Sequence, residues 1–359
     1  MMPDKYYLVK KEDLAHNIAS LRSQIPGKIY AVVKADGYGL GCEVLARACA
    51  ENGLRCFAVT SLQEAETVVA TGVEPEELLL MASAAPEQIP RLLQLGVTFT
   101  VASRQDVENL AQYQAKAHIK IETGMGRRGF RPEELDDIRQ LYTACPNLRI
   151  TGIYTHFLEG ADRKRTLSQY ERFQNVLSDL EEQGIAPGTR HCCNSAATIW
   201  QPDLYLDGVR LGSALLGRHP GAQSRLNLRR VGMGYVRIES LHELPKGATV
   251  GYGGLYRTAR PTTVAVCPIG THNGLGVIPY KGQQTFGESF LEVLRMARNR
   301  MTNRNLPCVT IGGKRCVALG SVCSEAVMVD ATGISCQVGE YAQVDINPIL
   351  LHDIPVIFE

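Results

Sequence analysis

The chain has no surplus of charge of either sign: 38 Lys and Arg stand against 37 Asp and Glu in 359 residues. A nearly neutral surface offers no broad field to gather nucleic acid or an acidic membrane, so a small, neutral partner is favoured over either. No run approaches the about 18 consecutive apolar residues that a membrane helix needs, and "MMPDKYYLVKKEDLAHNI" has no apolar stretch behind its first charges. The expectation is a soluble, cytoplasmic protein. The eleven cysteines lack metal-ligand spacing as well: Cys192 and Cys193 are adjacent, and Cys308, Cys316 and Cys323 form no C-x-x-C pair and have no histidine partner. They read as reduced thiols packed as small hydrophobes, and no metal is expected.

What is present is an alternation. Eight short apolar runs recur, "IYAVVK", "RCFAVTS", "ELLLMAS", "VTFTVAS", "AHIKIETG", "ITGIYTHF", "TRHCCNS" and "YLDGVRLG". Between most of them lie segments such as "CEVLARACAENG" and "LQEAETVVATG", apolar at three- and four-residue intervals with Gly or Pro near their ends. Eight strands alternating with helices predict an α/β fold, an N-terminal (β/α)8 TIM-like barrel, with an open doubly wound sheet as the alternative. From residue 218 onward the text turns β-rich, in "RRVGMGYVRIESLHEL", "TARPTTVAVCPIG", "KRCVALGSVC" and "YAQVDINPI". The expected division is a barrel over residues 1–224 and a second, mostly β C-terminal domain over 225–359, into which "KYYLVK" could pair. Residues 287–305 have helical spacing through Phe290, Leu291, Leu294 and Met301 and read as a surface helix, with a lid as the alternative.

In a barrel, chemistry belongs where strands end. Lys34 closes the first run, Lys120 to Arg127 follow the fifth, His156 closes the sixth, Asn194 and Ser195 the seventh, and Arg210 with Gly212 the eighth. After the last two runs a serine hydroxyl and a Gly212-Ser213 turn offer a site for a phosphate. A lysine opposite a phosphorylated ligand points to pyridoxal 5'-phosphate, whose aldehyde condenses with an amine and whose ring serves as an electron sink. Lys34 would be the Schiff-base residue, helped by burial to lose a proton it ordinarily holds to a pKa of about 10.4. The plainer reading of Lys34 is an amine snorkelling from a strand end, and of His156 a structural histidine.

The motifs also carry a resemblance. "AVVKADGYGLG", "HIKIETGMGRRGF", "YTHF", "HCCNSAAT", "DGVRLGSALLG" and "VGYGGLY" resemble, in this order, the blocks of the alanine racemases, fold-type III pyridoxal-phosphate enzymes. The likeness runs well over about residues 5–275 and becomes ragged beyond. It implies that Lys34 holds the cofactor and is the base on one face of the substrate. It implies that Tyr252, from the neighbouring subunit of a head-to-tail homodimer, is the base on the other. Tyr38, Ser195 and the backbone of Gly212 and Ser213 would bind the phosphate, with Asn194 beside them in the same block. Arg210 would face the pyridine nitrogen and, being always protonated, would leave that nitrogen unprotonated. Arg127 resembles the arginine near the substrate carboxylate, Lys120 a lysine that is often carbamylated, and His156 the histidine that bonds the catalytic tyrosine.

Four departures bear on the substrate. "PIGTHNG" puts Thr271 where the family has a tyrosine at the entrance, and "CSE" puts Ser324 where a methionine amide meets the substrate carboxylate. "RLGS" replaces Arg-Pro-Gly-Ile at 210–213, and the chain ends at "PVIFE" without the family's terminal tyrosine segment. The expectation is a racemase acting on free alanine, serine or a larger amino acid through a site made more open and polar by Thr271, His272 and Ser324. A decarboxylase of the same barrel fold and a non-catalytic cofactor-binding homologue are the alternatives.

Overall fold

Each of the eight apolar runs forms a strand in the computed structural model, which describes residues 2–219, 221, 225–278, 282–283, 285–302 and 306–359. After β1 (Lys5–Val9) they are β2 (Lys28–Val32), β3 (Cys56–Val59), β4 (Glu77–Leu80), β5 (Val97–Val101), β6 (Ala115–Lys120), β7 (Leu148–Tyr154), β8 (Thr189–Cys193) and β9 (Gly208–Leu211). They pair in sequence order, and β9 returns to β2 with Arg210 opposite Tyr30. The barrel is closed, so the open-sheet alternative falls. Every residue of β3 and β5 is buried, as befits parallel strands covered on both faces.

The connecting helices start where side chains can receive their first free amides. Ser61 caps Leu62–Ala70 by accepting from Glu64 N, Ser103 caps Arg104–Leu110 through Asp106 N, and Asp162 caps Arg163–Glu182 through Arg165 N. Such caps are each worth about 1 kcal/mol. Two irregularities interrupt the barrel's register, between Ala117 and His118 on β6 and between His191 and Cys193 on β8. Both fall at histidines, and both matter below.

Contacts divide the chain into a unit of Lys11–Val231 and a unit of Met1–Lys10 with Gly232–Glu359. The boundary expected from sequence abuts residues 222–224, which lie outside the described residues. In the second unit, β10 (Met233–Arg237), β11 (Ser240–Leu244), β12 (Thr249–Val250), β13 (Tyr256–Arg257) and β14 (Thr262–Cys267) precede a helix, Phe286–Met301. After it come β15 (Cys308–Ile311), β16 (Lys314–Val317), β17 (Val327–Asp330), β18 (Tyr341–Val344) and β19 (Val356–Phe358). A six-stranded sheet runs β16-β15-β18-β10-β1-β19, a three-stranded one β11-β14-β17, and β12 pairs with β13. The N-terminal strand β1 is thus an interior strand of the second unit's sheet, its Tyr6 ring stacked 5.1 Å from Tyr235. On the helix, Phe290, Leu291, Leu294 and Met301 are exposed, and residues 303–305 of the stretch expected to be helical lie outside the described residues.

Candidate active site

Lys34 leads into a turn that no regular element would adopt. Ala35, Asp36, Gly37 and Tyr38 all have positive φ, between 49° and 60°, and three of them are not glycine. Left-handed backbone costs an L-residue about 1–2 kcal/mol each, so something must hold it. Glu64 does so at one end, accepting from Ala35 N at 2.8 Å while its other oxygen takes Thr60 N at 2.7 Å. Asp36 Oδ1 does so at the other, accepting from Cys42 N at 2.8 Å. Strain maintained in this way clusters at functional sites. It fixes where Lys34 leaves the barrel.

Arg210, on β9, lies across the barrel interior and is buried. One terminal nitrogen donates to His191 Nδ1 at 2.7 Å and the other to Thr155 O at 2.7 Å, and the guanidinium lies 4.8 Å from the Tyr154 ring centroid. Its Nε is buried with no hydrogen-bond partner. Because a guanidinium can only donate, His191 Nδ1 must accept. Burial, then the Arg210 charge, push the His191 pKa well down and keep the ring neutral. The His191 proton therefore sits on Nε2, 2.9 Å from His118 Nδ1. His118 in turn turns its Nε2 to Glu77 Oε1 at 2.8 Å, and Tyr30 donates to the other oxygen at 2.7 Å. A row of close contacts through two imidazoles thus leads from the arginine to a carboxylate, with His118 Nε2 facing Glu77 Oε1 at 2.8 Å but not aligned for a hydrogen bond. Burial would raise the Glu77 pKa, but its neighbours His118, Tyr30 and Lys28 outweigh it and bring it down to about 2. Gly152 makes room for this line, since a Cβ there would lie 2.5 Å from His118 Nε2.

Ser195, Gly212 and Tyr38 meet on one rim. Ser195 Oγ accepts from Gly212 N at 3.1 Å and Ala214 N at 3.2 Å. A Cβ on Gly212 would fall 2.0 Å from the Tyr38 hydroxyl, so the close approach requires glycine. Burial, then Glu64, push the Tyr38 pKa up to about 12, which keeps it a hydrogen-bond donor. Asn194 acts as a helix cap, accepting from Ala197 N at 3.0 Å and donating to Phe157 O at 3.1 Å. Ser213 follows Gly212 and is half-buried.

A positive field gathers around His156. Burial first, then Arg210, Arg127, Lys120 and Lys34, depress its pKa to about 2, so these four cations converge on one neutral ring. Its Nδ1 lies 3.4 Å from an Arg210 nitrogen and accepts, leaving the proton on Nε2. Burial, then Arg127 and Arg128, bring Lys120 down to about 8. The loop bearing Arg127 is wound around the Glu122 carboxylate, which accepts from Gly124 N at 2.6 Å, Gly126 N at 3.1 Å and Arg127 N at 3.0 Å. Arg127 itself is exposed.

The remaining three candidates lie in the other unit. Tyr252 sits in a short turn, Tyr252–Gly254, and is 78% exposed. Thr271 and Ser324, both exposed, are on loops zipped together by Thr271 N to Cys323 O and His272 N to Ser324 O, each 2.9 Å. Two of the four departures, Thr271 and Ser324, therefore lie side by side. Sequence reasoning missed Glu64, Glu77, His118 and His191. The last three stood in plain view as polar residues inside apolar runs, and Glu64 stood three residues after a serine in "SLQE", the pattern of a capping box.

A closed barrel with its cations and a strained lysine turn on one rim is the architecture of a barrel enzyme. Comparison with known proteins makes this specific. The alanine racemase N-terminal domain profile matches residues 9–220 and the C-terminal domain profile residues 234–288. The alanine racemase of Desulforamulus reducens is 33% identical over 366 residues, covering 98% of this chain and 88% of its own. That of Deinococcus radiodurans is 31% identical over 350 residues, covering 96% and 90%. Among solved structures, alanine racemase from E. faecalis superposes with a TM-score of 0.80 at 25% identity, covering 99% of this chain and 98% of its own. Alanine racemase from Bartonella henselae with covalently bound pyridoxal phosphate shares the fold with a TM-score of 0.82 at 23% identity over 100% of both chains. The chain belongs to the alanine racemase family. It is a pyridoxal-phosphate-dependent isomerase, with pyridoxal 5'-phosphate as its cofactor. Among the described residues no helix is long and apolar enough to cross a membrane.

Proposed function

We propose that this protein interconverts the L- and D-forms of alanine and of serine or a larger amino acid, using two bases on opposite faces of the substrate in a cytoplasmic head-to-tail homodimer. The observation that carries the reading is the buried, unpartnered Nε of Arg210. An unmet buried donor costs about 1–3 kcal/mol, and a pyridine nitrogen, an acceptor, would satisfy it. The cradle of Tyr38, Ser195 and Gly212 supports the same fit, with hydroxyls and a backbone turn suited to a phosphate and Ser213 next in line. Asn194 would serve there by holding the Ser195 helix start.

When bound, the cofactor supplies an electron sink that makes an α-proton removable. Lys34 would hold it and move the proton on one face, and Tyr252 of the partner subunit would do so on the other. His156, neutral with its proton on Nε2, has the hydrogen bond to offer a tyrosine anion, which would otherwise form only near a pH of about 10. Arg127 would meet the substrate carboxylate. Lys120, buried and brought down to about 8, would hold a fraction of its amine unprotonated near neutral pH, able to add to carbon dioxide with loss of one proton to give an anionic carbamate near Arg127. Thr271 and Ser324 would line the substrate's side-chain end, leaving it more open and polar than a tyrosine and a methionine would.

The test is α-proton exchange in deuterated water, following the enantiomer ratio for a panel of L- and D-amino acids with the cofactor-loaded protein. Exchange with inversion is expected for alanine and serine. Turnover of alanine alone would remove the broader specificity, and cofactor binding without exchange would remove the racemase. A second expectation concerns Gly212→Ala, whose methyl displaces the Tyr38 hydroxyl. Losing one hydrogen bond to a charged group costs about 1.5–3 kcal/mol, so cofactor affinity measured by equilibrium dialysis should fall about tenfold or more. Unchanged affinity would argue against Tyr38 as a phosphate donor.

A further inference from the structure

We propose that His272, His352 and Asp353 form a binding site for one divalent transition-metal ion of the zinc class, in the unit of Gly232–Glu359. Two imidazoles and a carboxylate, with the remaining positions open to solvent, are a ligand set that such ions favour.

The three ligand atoms already share one point of convergence. His272 Nε2 is 2.8 Å from Asp353 Oδ2, His352 Nδ1 is 3.1 Å from His272 Nε2, and His352 Nδ1 is 3.3 Å from Asp353 Oδ2. With metal–ligand bonds of about 2.0–2.1 Å, neighbouring donors lie about 3.3 Å apart in a tetrahedron and about 2.9 Å apart in an octahedron. The observed triangle spans those two values.

A single proton shared by the two nitrogens does not satisfy this triangle. If His272 Nε2 carries a proton, it can point at the carboxylate or at His352, and one contact is left as two facing lone pairs. If His352 Nδ1 carries the proton instead, the His272 lone pair faces the carboxylate at 2.8 Å. With both nitrogens protonated, both N–H groups fall to the single Asp353 Oδ2, at 2.8 and 3.3 Å, and the two donor nitrogens stand 3.1 Å apart with no acceptor between them. A single cation at the centre satisfies all three contacts at once.

The surrounding loops are built to hold the group in place. Asn273, fully buried, accepts from Gly270 N at 3.1 Å and donates to His352 O at 3.0 Å, which ties the His272 turn to the His352 segment. His272 N is bonded to Ser324 O at 2.9 Å. Asp353 itself has φ +53°, a left-handed conformation that costs a non-glycine residue about 1–2 kcal/mol. The exposed cluster therefore rests on a buried, hydrogen-bonded footing.

Cobalt(II) is the probe, because its visible spectrum separates nitrogen and oxygen ligation from binding to any of the eleven cysteines. Holoenzyme stripped with a chelator and then freed of it should take up one equivalent per chain, with no thiolate-to-metal charge-transfer band, and zinc should displace it. Asp353→Asn keeps a residue that tolerates left-handed backbone, and His352→Ala alters an exposed side chain, so both should fold. Each should weaken binding by more than the about 10–100-fold that losing an outer partner costs, with the bound cofactor's absorbance unchanged. No saturable equivalent in the wild type, a thiolate band, or full affinity in both variants would overturn the proposal. None of these readouts depends on racemase activity, so the site and the proposed reaction stand or fall separately.

Discussion

Mixing Lys34→Ala chains with Tyr252→Phe chains is expected to restore activity that neither variant has alone. Under the proposed two-base reading, each site takes Lys34 from one subunit and Tyr252 from the other. Either homodimer then has two crippled sites, and each variant should fall by about 100- to 10,000-fold, the usual contribution of a general acid or base. Lys34→Ala should fall at the far end of that range or beyond it, because under the same proposal it also removes the covalent hold on the cofactor. In a head-to-tail mixed dimer, one site carries both lesions and the other carries neither. Random reassortment places about half of the chains in mixed dimers, so about one quarter of the sites should be intact. The measurement is racemisation rate against mixing ratio after dissociation and reassociation. A mixture no better than its components would sink the shared site, as would a fully active monomer in sedimentation at low concentration. The exposure of Tyr252, a large aromatic 78% open to solvent on its own unit, is what such a shared site would require.

Glu77→Ala should be the most damaging change among residues that no substrate touches. Glu77 is 10% exposed at its side chain and ends the line from Arg210 through His191 and His118. Removing it leaves the Tyr30 hydroxyl without its acceptor and His118 Nε2 without the carboxylate it faces at 2.8 Å, and each buried donor left unmet costs about 1–3 kcal/mol. An independent argument gives a similar size. A carboxyl that titrates near 4.5 unfolded and about 2 folded contributes about 3 kcal/mol when ionised in both states. The sign follows from the lowered folded value: the contribution is complete above about pH 4.5 and is lost as the pH falls through about 2. Denaturant unfolding of wild type and variant at pH 7 and at pH 3 checks both statements. The gap between the two proteins should be largest at pH 7 and smaller at pH 3. A gap that is absent at pH 7, or that widens in acid, would mean that Glu77 does not anchor the line. Glu77→Gln should be milder, because an amide oxygen can still accept from Tyr30 and only the contact with His118 is weakened.

The strands were legible because fully buried parallel strands must be apolar over their whole length, as in "CFAV" and "VTFTV". Several helix starts were legible for a similar local reason, a serine or aspartate placed where the first amides need an acceptor. The end of a strand also marks where a barrel exposes its chemistry, so Lys34, Lys120, His156, Ser195 and Arg210 could be singled out before any geometry was known. The relay beneath Arg210 could not. Glu77, His118 and His191 look like interruptions of apolar text, and they become a line only because register shifts in β6 and β8 fall beside His118 and His191 and Gly152 leaves space for the His118 ring.

By itself, then, the sequence determined what depends on neighbours along the chain: eight buried strands, their capped helices, a change to β-rich text, and a set of polar strand ends. Tertiary structure alone decided what depends on residues distant in the chain. Closure rests on β2 meeting β9, the Lys34 turn on Glu64, and the tautomers of two histidines on the direction in which Arg210 donates. The His272, His352 and Asp353 cluster belongs to the same category, since no spacing rule joins residues 80 positions apart. Local patterns encode burial and backbone preference, whereas a site is made of atoms a few ångströms apart, and only the folded chain specifies those distances.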